Sequence, residues 1–71
     1  MKLYTVDCPK CRIIEKKLNH RNIEYELVKD FDYDYLREKG FTTVPVLELD
    51  DGRFLGFSDA NNYVNGLEYQ R

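Results

Sequence analysis

Pro9 constrains this chain more than any other residue. Its ring fixes φ and it carries no N–H, so it suits the first helical position and no later one. A helix is therefore expected to start at Pro9, with Cys8 at its N-cap. From there the apolar residues Cys11, Ile14 and Leu18 recur at helical spacing, with Ile13 beside them. Glu15, Lys16, Lys17 and Asn19 take the other side, and the helix is expected to end near His20. Ahead of it, residues 2–6 (Lys-Leu-Tyr-Thr-Val) are rich in β-formers and read as a strand. The two cysteines thus flank a strand-to-helix junction, as Cys8-Pro9-Lys10-Cys11.

The rest of the chain continues the alternation. Ile23 to Val28 alternates apolar and acidic residues before ending apolar, and reads as a second strand. The segment from Asp30 to Gly40 opens with aspartates and closes with Arg37, Lys39 and Gly40, a polarity that fits a helix dipole and a glycine stop. Pro45 to Leu49 is a third strand. Asp51-Gly52 signals a two-residue hairpin, and Arg53 to Leu55 return as the fourth strand. Ser58 is expected to cap a last helix over 59–68, with Ala60, Tyr63, Val64 and Leu67 as its apolar face. The class is α/β, in one domain over residues 1–71. The first βαβ unit is expected to be parallel and right-handed, and the hairpin antiparallel, giving a mixed sheet between helices. A chain of 71 residues buries only about 60% of its unfolded surface, so its core is thin. Six tyrosines and four phenylalanines offer the rings to fill it.

Three roles compete for the cysteines. A structural disulfide would close too short a loop to constrain the unfolded chain much. A zinc site wants four ligands, and His20, the single histidine, lies near the end of the same helix. A redox dithiol is the reading that Cys-x-x-Cys between a first strand and a first helix favours. Other chemistries find little here. The net charge of −2 gives no reason to expect nucleic acid or an anionic membrane as partner. No apolar run approaches the roughly 18 residues of a membrane span. The opening residues lack a signal-like apolar core, and a cytoplasmic protein is expected. There is no Gly-rich phosphate loop and no acid–base constellation. His20 reads as a helix-end cation. Tyr33 and Tyr35, two apart on a helix, cannot share an inward face, so one is expected to form an exposed contact surface.

The element order, with Cys8-Pro9-Lys10-Cys11 after the first strand, Thr43-Val44-Pro45 before the third and Gly56-Phe57-Ser58-Asp59 at the last helix, resembles the glutaredoxin family. The likeness runs from Leu3 to about Leu67. It implies a minimal thioredoxin fold, β-α-β-α-β-β-α, with strand order 2-1-3-4 and a cis peptide before Pro45. It also implies thiol–disulfide exchange in a monomer, with no tightly bound cofactor or metal. Cys8 is then the nucleophile. Its helix N-terminus favours the thiolate, Lys10 and Arg12 add positive charge, and Asp7 opposes them. Cys11, one turn further in, is the resolving thiol.

The resemblance extends to substrate binding. Thr43, Val44 and Pro45 would pair with an extended substrate through the Val44 backbone. Pro45 would also keep a backbone donor and metal ions away from the dithiol. Gly56, Phe57, Ser58 and Asp59 would hold the γ-glutamyl end of glutathione on helix N–H groups. Two departures stand out. Gly56-Phe57 replaces the family's usual Gly-Gly, and resembles the redoxins that reduce ribonucleotide reductase with electrons from thioredoxin reductase. No lysine stands in Tyr4-Thr5-Val6-Asp7, just before Cys8, so Lys10 or Arg37 is the candidate cation for a glutathione carboxylate, and Lys10 itself replaces a common tyrosine. The expected partners are protein disulfides, ribonucleotide reductase among them, with glutathione or thioredoxin reductase as electron source. The rival roles are a zinc or iron–sulfur module held between two chains through Cys8, and a partner-binding domain with an inert dithiol.

Overall fold

Lys2, Leu3 and Tyr4 form the central strand of a four-stranded sheet in the computed structural model, which describes residues 1–6 and 8–68. The elements are β1 (Lys2–Tyr4), α1 (Pro9–His20), β2 (Glu26–Val28), α2 (Tyr33–Glu38), β3 (Val46–Glu48), β4 (Phe54–Leu55) and α3 (Phe57–Asn65). The order is β2-β1-β3-β4, with β1–β2 parallel and β1–β3 and β3–β4 antiparallel. This is the expected mixed sheet with three helices. Register is fixed by charge as well as burial. Lys2 stands opposite Glu26 on one side and Glu48 on the other, an arrangement a one-residue slip would destroy.

Strand alternation divides the core in two. Leu3, Leu47 and Leu49 face α1 and α3 and pack with Ile14, Leu18, Ala60 and Val64. Tyr4 and Val46 face the other way and pack with Leu36 of α2, ringed by Val28, Phe31, Phe41, Val44 and Phe54. The second layer is largely aromatic. Tyr4 meets Phe31 edge-on at 5.8 Å and stacks on Phe54 at 6.3 Å. Tyr33 and Tyr35 are both partly exposed, at 43% and 40%; the Tyr35 ring lies against Tyr4 and Phe54 at 6.2 and 6.1 Å, and the Tyr33 ring against Phe31 at 5.1 Å. Among the described residues no helix is long and apolar enough to cross a membrane.

The Tyr4 hydroxyl donates to Glu48 Oε1 at 2.6 Å. Burial pushes the Tyr4 phenol well above its ordinary range, and the Glu48 carboxylate pushes the same way. A phenol that ionises later folded than unfolded contributes stability that is whole below about pH 10 and declines above it. The unfolded chain then releases protons that the folded chain keeps. Tyr4→Phe is expected to cost about 1 kcal/mol at neutral pH and to flatten the alkaline decline. Urea titrations at pH 7 to 11 check both, and an unchanged alkaline slope would contradict the assignment to Tyr4.

Local boundaries depart from expectation in several places. β2 starts at Glu26, three residues later than the expected Ile23, because β1 with its three residues offers pairing partners only to Glu26, Leu27 and Val28. β1 stops at Tyr4, although the Thr5 N–H still donates to the Val28 carbonyl at 3.0 Å. The β3–β4 loop holds three residues, not two. Leu49 N–H donates to the Arg53 carbonyl at 2.8 Å, and Gly52 N–H closes the turn on the Leu49 carbonyl at 3.0 Å. Gly52 has φ +93°, the left-handed position that ends a three-residue loop. Finally, α3 begins at Phe57 with Gly56 at the N-cap, so Ser58 lies inside the helix and does not cap it. The apolar stripe explains the earlier start. Phe57 packs on the larger core, in helical phase with Ala60 and Val64. The helix stops at Gly66, short of residue 68.

Candidate active site

α1 starts at Pro9 with Cys8 as its N-cap, and the Cys8 sulfur accepts from the Cys11 N–H at 3.3 Å. A thiol here replaces the hydroxyl or carboxylate that usually receives a free helix N–H. The first turn of α1 holds no acidic residue, so nothing within the helix offsets the positive end of its dipole beside Cys8. Cys8 is half-buried, whereas Cys11 is fully buried and heads the stripe continued by Ile14 and Leu18. The two sulfurs are 2.6 Å apart, and both are free thiols. Burial pushes the Cys11 thiol up, and Cys8 beside it adds to this, while the Thr5 hydroxyl and the Val6 backbone lower it. One cysteine is thus half-buried at a helix start and the other is fully buried one turn on. Asp7, expected to oppose a thiolate at Cys8, lies outside the described residues.

The second expected segment approaches the same end of the sheet. Tyr4 pairs antiparallel with Val46, so the chain entering β3 runs beside the chain leaving β1. Val44–Pro45 is cis, as the family resemblance implied. Pro45 is buried, Val44 packs on the aromatic layer, and Thr43 is exposed.

The third segment comes from α3. The Lys10 ammonium lies over the Phe57 ring, 5.5 Å from its centroid. This contact joins the N-terminal turns of α1 and α3. Lower down, Lys17 Nζ hydrogen-bonds Asn61 and Asn65, and Arg21 Nε donates to the Leu67 carbonyl at 3.2 Å. The helix carrying both cysteines is therefore fastened to α3 at several levels. A Cβ at Gly56 would lie 3.4 Å from Phe41 Cε1, at the close edge of ordinary van der Waals contact. Asp59 stands in the first turn of α3 and already places a carboxylate at the positive end of that helix. Ser58 and Asp59 are both exposed.

Of the two candidate cations, Arg37 is ion-paired with Asp34 on α2. Lys10 is the one placed on α1 itself. His20 is exposed in the last turn of α1, as its helix-end role requires. Among the described residues no group of three or more His, Cys, Asp or Glu is arranged to hold a metal ion. Two features were missed in the sequence. The Lys10–Phe57 contact joins distant segments and leaves no local signal. Thr5, a buried hydroxyl that donates to the Val6 carbonyl, was foreshadowed by strand alternation, since Leu3 and Thr5 share a face.

A small α/β sandwich with an N-capping cysteine and a buried second cysteine is the class that fold and site define. No protein family, curated protein or solved structure matches the chain.

Proposed function

We propose that this chain is a thiol–disulfide oxidoreductase of the glutaredoxin type, reducing protein or glutathione mixed disulfides through Cys8 and Cys11. One observation carries the reading: a half-buried Cys8 at a helix start, its sulfur 2.6 Å from that of a fully buried Cys11. In the first step the Cys8 thiolate attacks a client disulfide, and one client sulfur leaves as a thiolate. Cys11 then attacks Cys8, the second client sulfur leaves, and the dithiol ends as a disulfide. Two electrons pass to the client. Thr43 to Pro45 and Gly56 to Asp59 border the path by which the client arrives. Val6 and Ile13, 38% and 42% exposed on either side of the dithiol in sequence, add apolar contact surface suited to a protein client.

The electron source divides this reading. Asp59 at the start of α3 weighs against a glutathione carboxylate in that turn, while Lys10 over the Phe57 ring puts a cation beside it. The Asp59 carboxylate favours a thioredoxin-reductase-dependent donor, with ribonucleotide reductase as a client, working in a reducing compartment such as the cytoplasm. NADPH consumption decides. With insulin as disulfide, turnover is expected with thioredoxin reductase alone. Turnover only with glutathione and glutathione reductase would assign the glutathione route. No turnover in either assay sinks the enzyme reading. Metal analysis of protein purified without air would then test a zinc or iron–sulfur module shared between two chains.

A further inference from the structure

Charge is divided unevenly along the chain. Residues 9–21 carry five of the eleven Lys and Arg but one of the thirteen Asp and Glu. The remaining residues carry six and twelve. Contacts made by α1 fix the direction of these cations. Lys17 turns toward α3, where it hydrogen-bonds Asn61 and Asn65. Asn19 turns toward the approach to β2 and accepts from the Tyr25 hydroxyl at 3.2 Å. Glu15, the one acid, stands a turn before Asn19 and shares its side. Between these flanks Arg12, Ile13, Lys16 and His20 face outward, opposite the buried Cys11, Ile14 and Leu18, and all four are exposed. This face starts beside Cys8 and ends at a shallow hollow lined by Lys16, Lys17, Asn19, His20 and Arg21. Arg12 and Lys16 are like charges four apart, as are Lys17 and Arg21, an arrangement that weakens a helix.

We propose that the outward face of α1 is a docking surface for a protein client whose disulfide is flanked by an acidic segment. The inference rests on the dithiol-exchange reading and names its class of client. Charge complementarity selects the acidic chain, and continuity with Cys8 places it: a segment leading away from a disulfide at Cys8 runs straight onto Arg12 and Lys16. From Cys8 to His20 the helix rises about 18 Å, the span of about five extended residues. Ile13 offers that segment an apolar contact among the cations. Attraction between opposite charges acts before contact and raises the rate of encounter. A short acidic segment also suits the surface better than a long polyanion does. Duplex DNA reaching past α1 would meet the rest of the chain, where acids outnumber bases.

Two peptides with one internal disulfide test this, identical except that the flanks on both sides are Asp-rich in one and Asn-rich in the other. Each is mixed with excess reduced protein, and acid quenching gives the second-order rate constant. The peptide disulfide takes two electrons and two protons, and Cys8 and Cys11 end as a disulfide. At low ionic strength the Asp peptide is expected to react about tenfold faster than the Asn peptide. At about 1 M salt the Debye length falls to about 3 Å, and the ratio is expected to drop below about twofold. Lys16→Glu is expected to lower the low-salt ratio to about threefold or less. Arg53→Glu makes the same change in net charge on the β3–β4 loop and is expected to keep the ratio within about twofold of wild type. A ratio measured on one protein does not depend on how much of it is folded. A wild-type ratio near one overturns the inference, as does a ratio that persists at high salt or one that Arg53→Glu lowers as much as Lys16→Glu. Duplex DNA binding or self-association that Lys16→Glu abolishes, found with a ratio near one, gives the face to a nucleic acid or a second copy instead. A wild-type protein that reduces neither peptide overturns the dithiol reading itself.

Discussion

Cys8→Ser is expected to abolish thiol–disulfide exchange while leaving the protein folded. A serine hydroxyl does not ionise at neutral pH and does not attack a disulfide. Cys11 cannot replace Cys8, because it is fully buried and burial holds its thiol protonated more strongly than usual. The fold has little reason to change. Cys8 is an N-cap whose sulfur accepts from the Cys11 N–H, and serine is a preferred residue for that role. Stability is expected within about 0.5 kcal/mol of wild type. Cys11→Ser makes the complementary case. It retains the first step and loses the second, so a client stays linked to Cys8 and appears as added mass in intact-protein spectra. Insulin reduction by the Cys8→Ser protein above the uncatalysed rate would remove Cys8 from the mechanism. A Cys11→Ser protein that accumulates no adduct would remove the two-step order.

Where the sequence was legible, it was because one residue had one physical use. Pro9 marks the start of α1, and the stripe of Cys11, Ile14 and Leu18 sets its buried face. Gly40, with φ +92°, stands just beyond α2, where a left-handed residue was expected. Boundaries failed where a residue had two uses. Asp51-Gly52 suits a two-residue turn, but that turn needs positive φ at both positions, and only Gly52 adopts it. Asp51 instead accepts from the Arg53 N–H at 3.1 Å. Ser58 is a good cap by type, yet Phe57 gains more by entering the helix and packing on the core.

The candidate site divides the same way. Cys8 as N-cap and Cys11 as a buried stripe residue were legible because both placements follow from position in one helix turn. The ion pair that engages Arg37 and the ring beneath Lys10 depend on side-chain placement, which spacing does not encode. The cis peptide at Pro45 followed from the family resemblance. Composition alone favours trans, since only about 5–6% of X–Pro bonds in folded proteins are cis.

Leu47→Ala is expected to remove most of the protein's stability at 25 °C, although Leu47 touches no part of the chemistry. It is fully buried on β3, facing Leu3 of β1 on one side and Leu55 of β4 on the other. Its side chain packs in the cluster of Ile14, Leu18, Ala60 and Val64 that joins α1 and α3 to the sheet. A buried Leu→Ala change costs about 2–5 kcal/mol, more where neighbours cannot close the gap. A single core in a domain this small supplies about 3–5 kcal/mol. The substitution therefore removes most of the margin. Leu36→Ala is the control on the opposite face. Leu36 is equally buried, but it lies on a helix of six residues among half-exposed rings free to shift into the space. Its cost is expected at the low end of that range. Urea unfolding of both variants ranks them, and a Leu36→Ala protein less stable than Leu47→Ala would place the main core on the wrong side of the sheet. The consequence for activity follows from the same geometry. Cys11 belongs to the α1 stripe that Leu47 helps support, so exchange should fall with the folded fraction in Leu47→Ala. In Cys8→Ser it should vanish with the fold intact.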